Sequence, residues 1–123
     1  MQQPNGNSSE MGPIYTLLGE SRRRYLLYQL VDEEYGTVDD LSLQIAAWER
    51  GTSIDAVSEE AREKVCISLV HAHLPRLADH NVVDYDLRSG DVVLADGVSA
   101  LEPLLEQFKR TEDVPEIQHS PPL

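Results

Sequence analysis

His71, His73 and His80, with Cys66 a short way upstream, are the side chains whose types could ligate a metal. Their spacing argues against it. Helix positions two apart point to different faces, so His71 and His73 diverge, and only His73 and His80, seven apart, share a side. No thiolate pair accompanies them, and no metal is expected. The plain arrangement leaves His73 partly buried and His71 exposed. Cys66 is the only cysteine. It reads as a small core hydrophobe; the alternative is a redox-sensing thiol that joins two subunits. One cysteine excludes an internal disulfide framework and fits a reducing, cytoplasmic compartment. No Ser-His-Asp spacing, phosphate-binding loop or carboxylate pair in an apolar frame occurs, so the chain reads as a non-enzyme without a cofactor.

Contact with a polyanion is the better match to these residue types. Lys64, Ser68, His71 and Ala72 fall on one side of a segment whose other side carries Ile67, Val70, Leu74 and Leu77, spaced three, four and three. An apolar stripe pins such a helix. The free side, small and hydrogen-bonding with a cation, suits a major groove about 12 Å wide. Arg62 and Arg76 lie in the same acid-poor stretch and are candidate phosphate contacts. Arg22, Arg23 and Arg24 are weaker candidates. Consecutive helix residues fan around the axis, so pairing with acid or packing of their stems is favoured.

The elements that must position these residues are legible in outline. The first helical segment runs from about Ile14 to Glu33, with Gly19 as the place for a break and Gly36 as its end. Thr37 is an N-cap for the second helix, with Asp40 three residues on. That helix carries Leu41, Ile45 and Trp48, with Trp48 packing it on the core, and Gly51 stands at its C-terminal cap. A loop over 51–57 leads to Ser58, which caps the third helix with Glu59 and Glu60 in its first turn. Pro75 inside that helix must bend it or cost a backbone bond. The period then changes to two: Val83, Tyr85 and Leu87 alternate with acid. Arg88 to Asp91 makes a turn with Gly90, and Val92 to Leu94 returns as the second strand of a hairpin. Leu101, Leu104, Leu105 and Phe108 mark a short fourth helix, with Pro103 near its start and Ser99 or a neighbour as cap. Too short to stand alone, it is expected to use those four residues in a dimer interface, with help from the first helix. Residues 1–12 and 111–123 read as disordered tails around one domain at 13–110.

The chain has 123 residues, suited to one domain, and 22 acidic against 10 basic residues for a net charge of -12. No apolar run approaches the roughly 18 residues that span a bilayer. The charge is uneven: residues 32–60 carry -8, whereas 20–31 and 61–78 each carry +2. Acid spread along the chain favours adaptation to molar salt, with monovalent cations held at the carboxylate surface, over a mesophilic protein that binds basic partners.

Ser68-Leu69-Val70-His71-Ala72-His73-Leu74-Pro75-Arg76-Leu77, followed by Asn81-Val82-Val83-Asp84-Tyr85, resembles the junction between recognition helix and wing in winged-helix regulators of the ArsR/MarR type. There a His-Leu-x-x-Leu run precedes a short turn and a Gly-Leu-Val entry to the wing. Asn81 replaces the glycine, and asparagine also visits left-handed backbone. Leu17-Leu18-Gly19-Glu20-Ser21-Arg22-Arg23-Arg24-Tyr25 resembles the first helix of the same class. Residues 14–95 with the acidic composition resemble an uncharacterised winged-helix family of halophilic archaea. The loop over Gly51 to Val57 is longer than in compact members.

The resemblance implies a mainly α fold with a small β-hairpin: a winged helix-turn-helix with a three-helix core, a two-stranded wing and a C-terminal helix. It also implies a transcription regulator that binds double-stranded DNA as a homodimer, with Lys64, Ser68, His71, Ala72, Arg76 and Arg62 on the reading helix and Arg88 at the wing tip, touching phosphate or the minor groove. A net charge of -12 opposes that. In molar salt the Debye length falls to about 3 Å, so affinity is expected to hold or rise with KCl. Glu59, Glu60 and Glu63 favour the alternative, a winged-helix module for protein–protein association without direct DNA binding.

Overall fold

The structure is a computed structural model that describes residues 6–115 and 117. The chain folds as helix α1 (Gly6–Leu18), helix α2 (Ser21–Glu33), strand β1 (Tyr35–Thr37), helix α3 (Val38–Arg50), a 3-10 turn (Ile54–Ala56), helix α4 (Glu59–Ser68), a π turn (Leu69–His73), helix α5 (Leu74–Asp79), strands β2 (Val83–Asp86) and β3 (Asp91–Leu94), a second 3-10 turn (Asp96–Ala100) and helix α6 (Glu102–Glu112). It is a mainly helical α+β fold. Helix α1 begins at Gly6, inside the stretch read as a tail; Met1–Asn5, and most of the C-terminal tail beyond Pro115, lie outside the described residues.

The break at Gly19 separates α1 from α2, and the three arginines that follow hold the joint. A helix end leaves carbonyls without partners. Arg23 Nε donates to Leu17 O at 2.7 Å and its Nη2 to Thr16 O at 2.9 Å, while Arg24 Nη1 donates to Leu18 O at 2.7 Å. Arg22 turns the other way and pairs with Glu49 of α3 at 2.6 Å. The triplet is an internal scaffold that ties α1, α2 and α3 together.

Helix α2 ends at Glu33 as expected, but the residue that caps it is not Gly36. Glu34 takes the left-handed position (φ 70°), and its N–H closes on Leu30 O. Gly36 lies within β1, where a Cβ would stand 3.0 Å from the Leu41 side chain. Thr37 then caps α3 by accepting from the Asp40 N–H, and Gly51 ends it at φ 66°. Ser58 caps α4 by accepting from the Ala61 N–H at 3.0 Å.

Beyond Ser68 the helix departs from the expected stripe. The Leu74 N–H bonds to Leu69 O, five residues back, which makes the segment a π turn. It ends two residues before Pro75, whose ring would otherwise clash with the preceding turn. The extra residue per turn slips the phase of the helix. Upstream the buried residues are Ala61, Val65 and Leu69; downstream they are His73, Leu74 and Leu77. Ile67, expected in the core, is 55% exposed, and Val70 is half-buried.

The sheet has three antiparallel strands in the order β1-β3-β2, with Tyr35 opposite Val93 and Tyr85 opposite Val92. The hairpin turn uses Gly90 at φ 82°, and Asn81, before β2, is left-handed at φ 59°. The core gathers Leu17, Leu26, Leu30, Ile45, Leu69, Leu74, Leu77, Val83 and Val92. Trp48 packs half-buried against it, edge-on to Tyr25 with ring centroids 5.5 Å apart.

Helix α6 corrects a second expectation. Leu101 and Leu105 are buried in the core of their own chain, and Leu104 and Phe108 pack against it. Glu112 fastens the helix end: it accepts from Arg24 Nε at 2.9 Å and Nη2 at 2.7 Å, and from the Tyr28 hydroxyl. The Arg24 guanidinium also lies 4.5 Å above the Phe108 ring. The apolar side of α6 is covered within one chain, because α2 offers it an apolar and charge-matched seat, so Leu101 and Leu105 are buried in the chain's own core and not left open at its surface. Leu101 stands at the N-cap without a side-chain bond, and Ser99 instead bonds Asp96 O within the preceding turn.

Candidate nucleic-acid interface

The sequence-derived reading face divides into three groups. Lys64, His71, Ala72 and Arg76 are exposed on α4, the π turn and α5. Ser68 is half-buried. Arg62 is withdrawn from the set: its Nη1 meets Asp39 at 2.8 Å and its Nη2 meets Glu59 at 2.7 Å, which fixes the start of α4 to the start of α3. Arg88 stands apart on the hairpin turn, exposed, with its backbone N–H held by Asp86 Oδ1 at 2.9 Å.

The outward face of α4 is less uniformly polar than the sequence suggests. The phase slip at the π turn brings Ile67 to the surface between Lys64 and His71, while Glu60 and Glu63 flank Lys64 on its N-terminal side. The face therefore offers one lysine, one exposed aliphatic side chain and, a turn further, His71 and Arg76.

Below this face lie two residues that sequence reasoning treated separately. Arg23 is 6% exposed and His73 is 8% exposed, and Arg23 Nη1 stands 3.4 Å from His73 Nδ1. Burial lowers the His73 pKa, and the neighbouring Arg23 charge lowers it further. Burial likewise lowers that of Arg23 despite an opposing pull from Glu20. The partners are 50 residues apart in the chain, so only the packing of α2 against the π turn could reveal them. His71 and His80 are exposed, and His80 Nδ1 lies 3.1 Å from Arg76 O. Among the described residues no group of three histidine, cysteine or acidic side chains is placed to hold a metal. Cys66 is half-buried against the core.

Among the described residues no helix is long and apolar enough to cross a membrane. The domain family described as "Domain of unknown function (DUF7344)" matches residues 15–93, from the last turn of α1 to β3, and leaves α6 outside the match. No curated protein and no solved structure matches the chain.

Proposed function

The chain belongs to the DUF7344 domain family, and on that premise we propose that it is a winged helix-turn-helix protein that binds duplex DNA as a homodimer and regulates transcription. Helices α3 and α4 are the helix-turn-helix pair, α4 with its continuation through α5 is the reading helix, and the β2–β3 hairpin is the wing. The order helix, short strand, helix, helix, hairpin supports this, as does the pairing of β1 with β3. One observation carries the reading: Lys64, His71, Ala72 and Arg76 are each exposed along the acid-poor stretch of a chain with net charge -12, and the last three border one groove.

The role is binding rather than catalysis. Lys64 and Arg76 meet phosphates, His71 and Ala72 approach base edges, and Arg88 touches the backbone beside the groove. In molar KCl the distant carboxylates are screened within about 3 Å, and cations lodge between carboxylate and phosphate. Exposed Ile67 with Glu59, Glu60 and Glu63 on the same helix favours a second reading, a protein–protein module.

A gel-shift titration on a pool of genomic duplexes, run from dilute to molar KCl, tests the proposal. Saturable binding that persists in molar KCl and is lost on Lys64→Glu with Arg88→Glu is the expected result. Absence of binding across the whole salt range, in a chain with intact helical circular dichroism, overturns it.

A further inference from the structure

An open groove of about 1030 Å³ runs between the α1–α2 joint and the π turn, with the buried pair Arg23 and His73 at its base. Arg23 differs from Arg22, Arg24 and Arg62. Each of those holds a carboxylate, at 2.6, 2.7 and 2.7 Å respectively. Among the described residues, Arg23 has only the carbonyls of Thr16 and Leu17 and the imidazole of His73 as hydrogen-bond partners. Carbonyls and a neutral ring satisfy its N–H groups but do not neutralise its charge. A buried guanidinium with no carboxylate in hydrogen-bond contact is costly; Glu20 acts on its charge without such a contact, and this persists in a chain with 22 carboxylates to 10 cations. The same groove is lined by Arg76, which is exposed and adds to the positive field on Arg23.

We propose that this groove is a binding site for a phosphate-type oxyanion, held between Arg23, Arg76, His71 and His73. An anion seated there supplies the charge that Arg23 lacks, and each guanidinium N–H not already committed becomes a charge-assisted donor. Two carboxylates also border the groove, Glu20 from the α1–α2 joint and Asp79 from α5. Neither is in hydrogen-bond contact with Arg23. An anion seated beside His73, whose pKa burial and then Arg23 lower, favours the protonated ring, so anion uptake is coupled to proton uptake there. His80 and Tyr15 close its rim. The groove shares His71, Ala72 and Arg76 with the proposed reading face, so a DNA backbone phosphate is one source of the anion and a free phosphorylated small molecule is the other.

The test uses the full chain in KCl without phosphate, with the His73 ring followed by heteronuclear NMR. Potassium phosphate and potassium sulfate are titrated at constant ionic strength. Sulfate keeps its charge across neutral pH, so any pH effect on its binding belongs to the protein. The expected result is a saturable shift of His73 with both anions, absent with KCl alone and tighter for sulfate at about pH 6 than at about pH 8. Arg76→Ala, on an exposed position, weakens both by about tenfold. No saturable response, or unchanged binding by Arg76→Ala, overturns the inference. A short duplex forms the second arm. If it shifts His73 and phosphate competes with it, the backbone is the source. If phosphate binds and no duplex does, the groove stands as a small-anion site and the DNA reading falls. If duplex binds while His73 responds to neither ligand, this inference falls and the DNA reading stands.

Discussion

Replacing Glu112 by Gln isolates the charge that fastens α6 to α2. The Glu112 carboxylate accepts two hydrogen bonds from Arg24, at 2.9 and 2.7 Å, and a third from the Tyr28 hydroxyl. The two side chains of the ion pair are 12% and 17% exposed, between the surface limit, where a pair contributes about 0–1 kcal/mol, and the fully buried limit, where removing one partner costs about 3–5 kcal/mol. Gln keeps one acceptor oxygen and loses the charge, so a loss of about 2 kcal/mol is expected. For a domain of this size that lowers Tm by roughly 10 °C. The pH dependence carries a separate signature. Burial opposes the charge on Glu112, but the bonds from Arg24 and Tyr28 prevail and hold its pKa below the ordinary 4.5. The associated stability is complete above pH 4.5 and is lost as pH falls through the depressed value. Thermal unfolding followed by circular dichroism, in wild type and Glu112→Gln from about pH 7 to pH 3, reads both effects. A variant within about 2 °C of wild type at neutral pH, with an unchanged acid limb, refutes the assignment of this cluster as the α6 fastener.

Two further substitutions probe the groove and the turn that backs the hairpin. His73 has a pKa below the ordinary 6.5 because of burial and then Arg23, so stability is full above pH 6.5 and declines as pH falls through the folded value; in His73→Met the urea midpoint loses that slope, and retention of the slope assigns it elsewhere. At Gly97 a Cβ would stand 2.5 Å from Asn81 O and 2.8 Å from His80 O, both backbone atoms; Gly97→Ala is expected to cost about 1–3 kcal/mol in urea unfolding, and a cost below about 0.5 kcal/mol contradicts the close approach.

What the sequence made legible is local. Thr37, Gly51 and Ser58 cap as their types require, because caps depend on a residue and its neighbours three or four positions away. Asn81 adopts the left-handed backbone expected where a glycine was replaced. The features that escaped depend on distant partners or on phase. Strand β1 has three residues and no alternation to display, and it forms only because β3 offers it an edge. The π turn has no mark except Pro75, and its slip exchanges Ile67 for Val65 and Leu69 in the core. An amphipathic α6 announces that something covers its apolar face but not what, and the cover is its own α2. For the candidate site, the residue types were legible and their availability was not: Arg62 matches Lys64 in the sequence, but Asp39 and Glu59 occupy it.

That difference in availability changes the electrostatic argument. The +2 over residues 61–78 counts Arg62, whose charge is already opposed by an acid of α3 and one just upstream. Arg22 and Arg24 are paired with acids, and Arg23 lies buried at the base of the groove. On the proposed reading helix and hairpin turn the cations outside these pairs are Lys64, Arg76 and Arg88, on the order of three phosphate contacts, which correspond to a salt slope of about -3. Against this stands a net charge of -12, whose repulsion is itself strongest at low salt. Adding KCl weakens three contacts by counterion competition and removes the repulsion of four times as many charges. The two trends oppose each other, and the repulsive term is the larger until the Debye length falls below the spacing of the surface carboxylates. If the proposed DNA reading holds, a flat or rising affinity with KCl is the expected outcome of so few cations on the reading helix and hairpin turn, with no special chemistry at the bound phosphates.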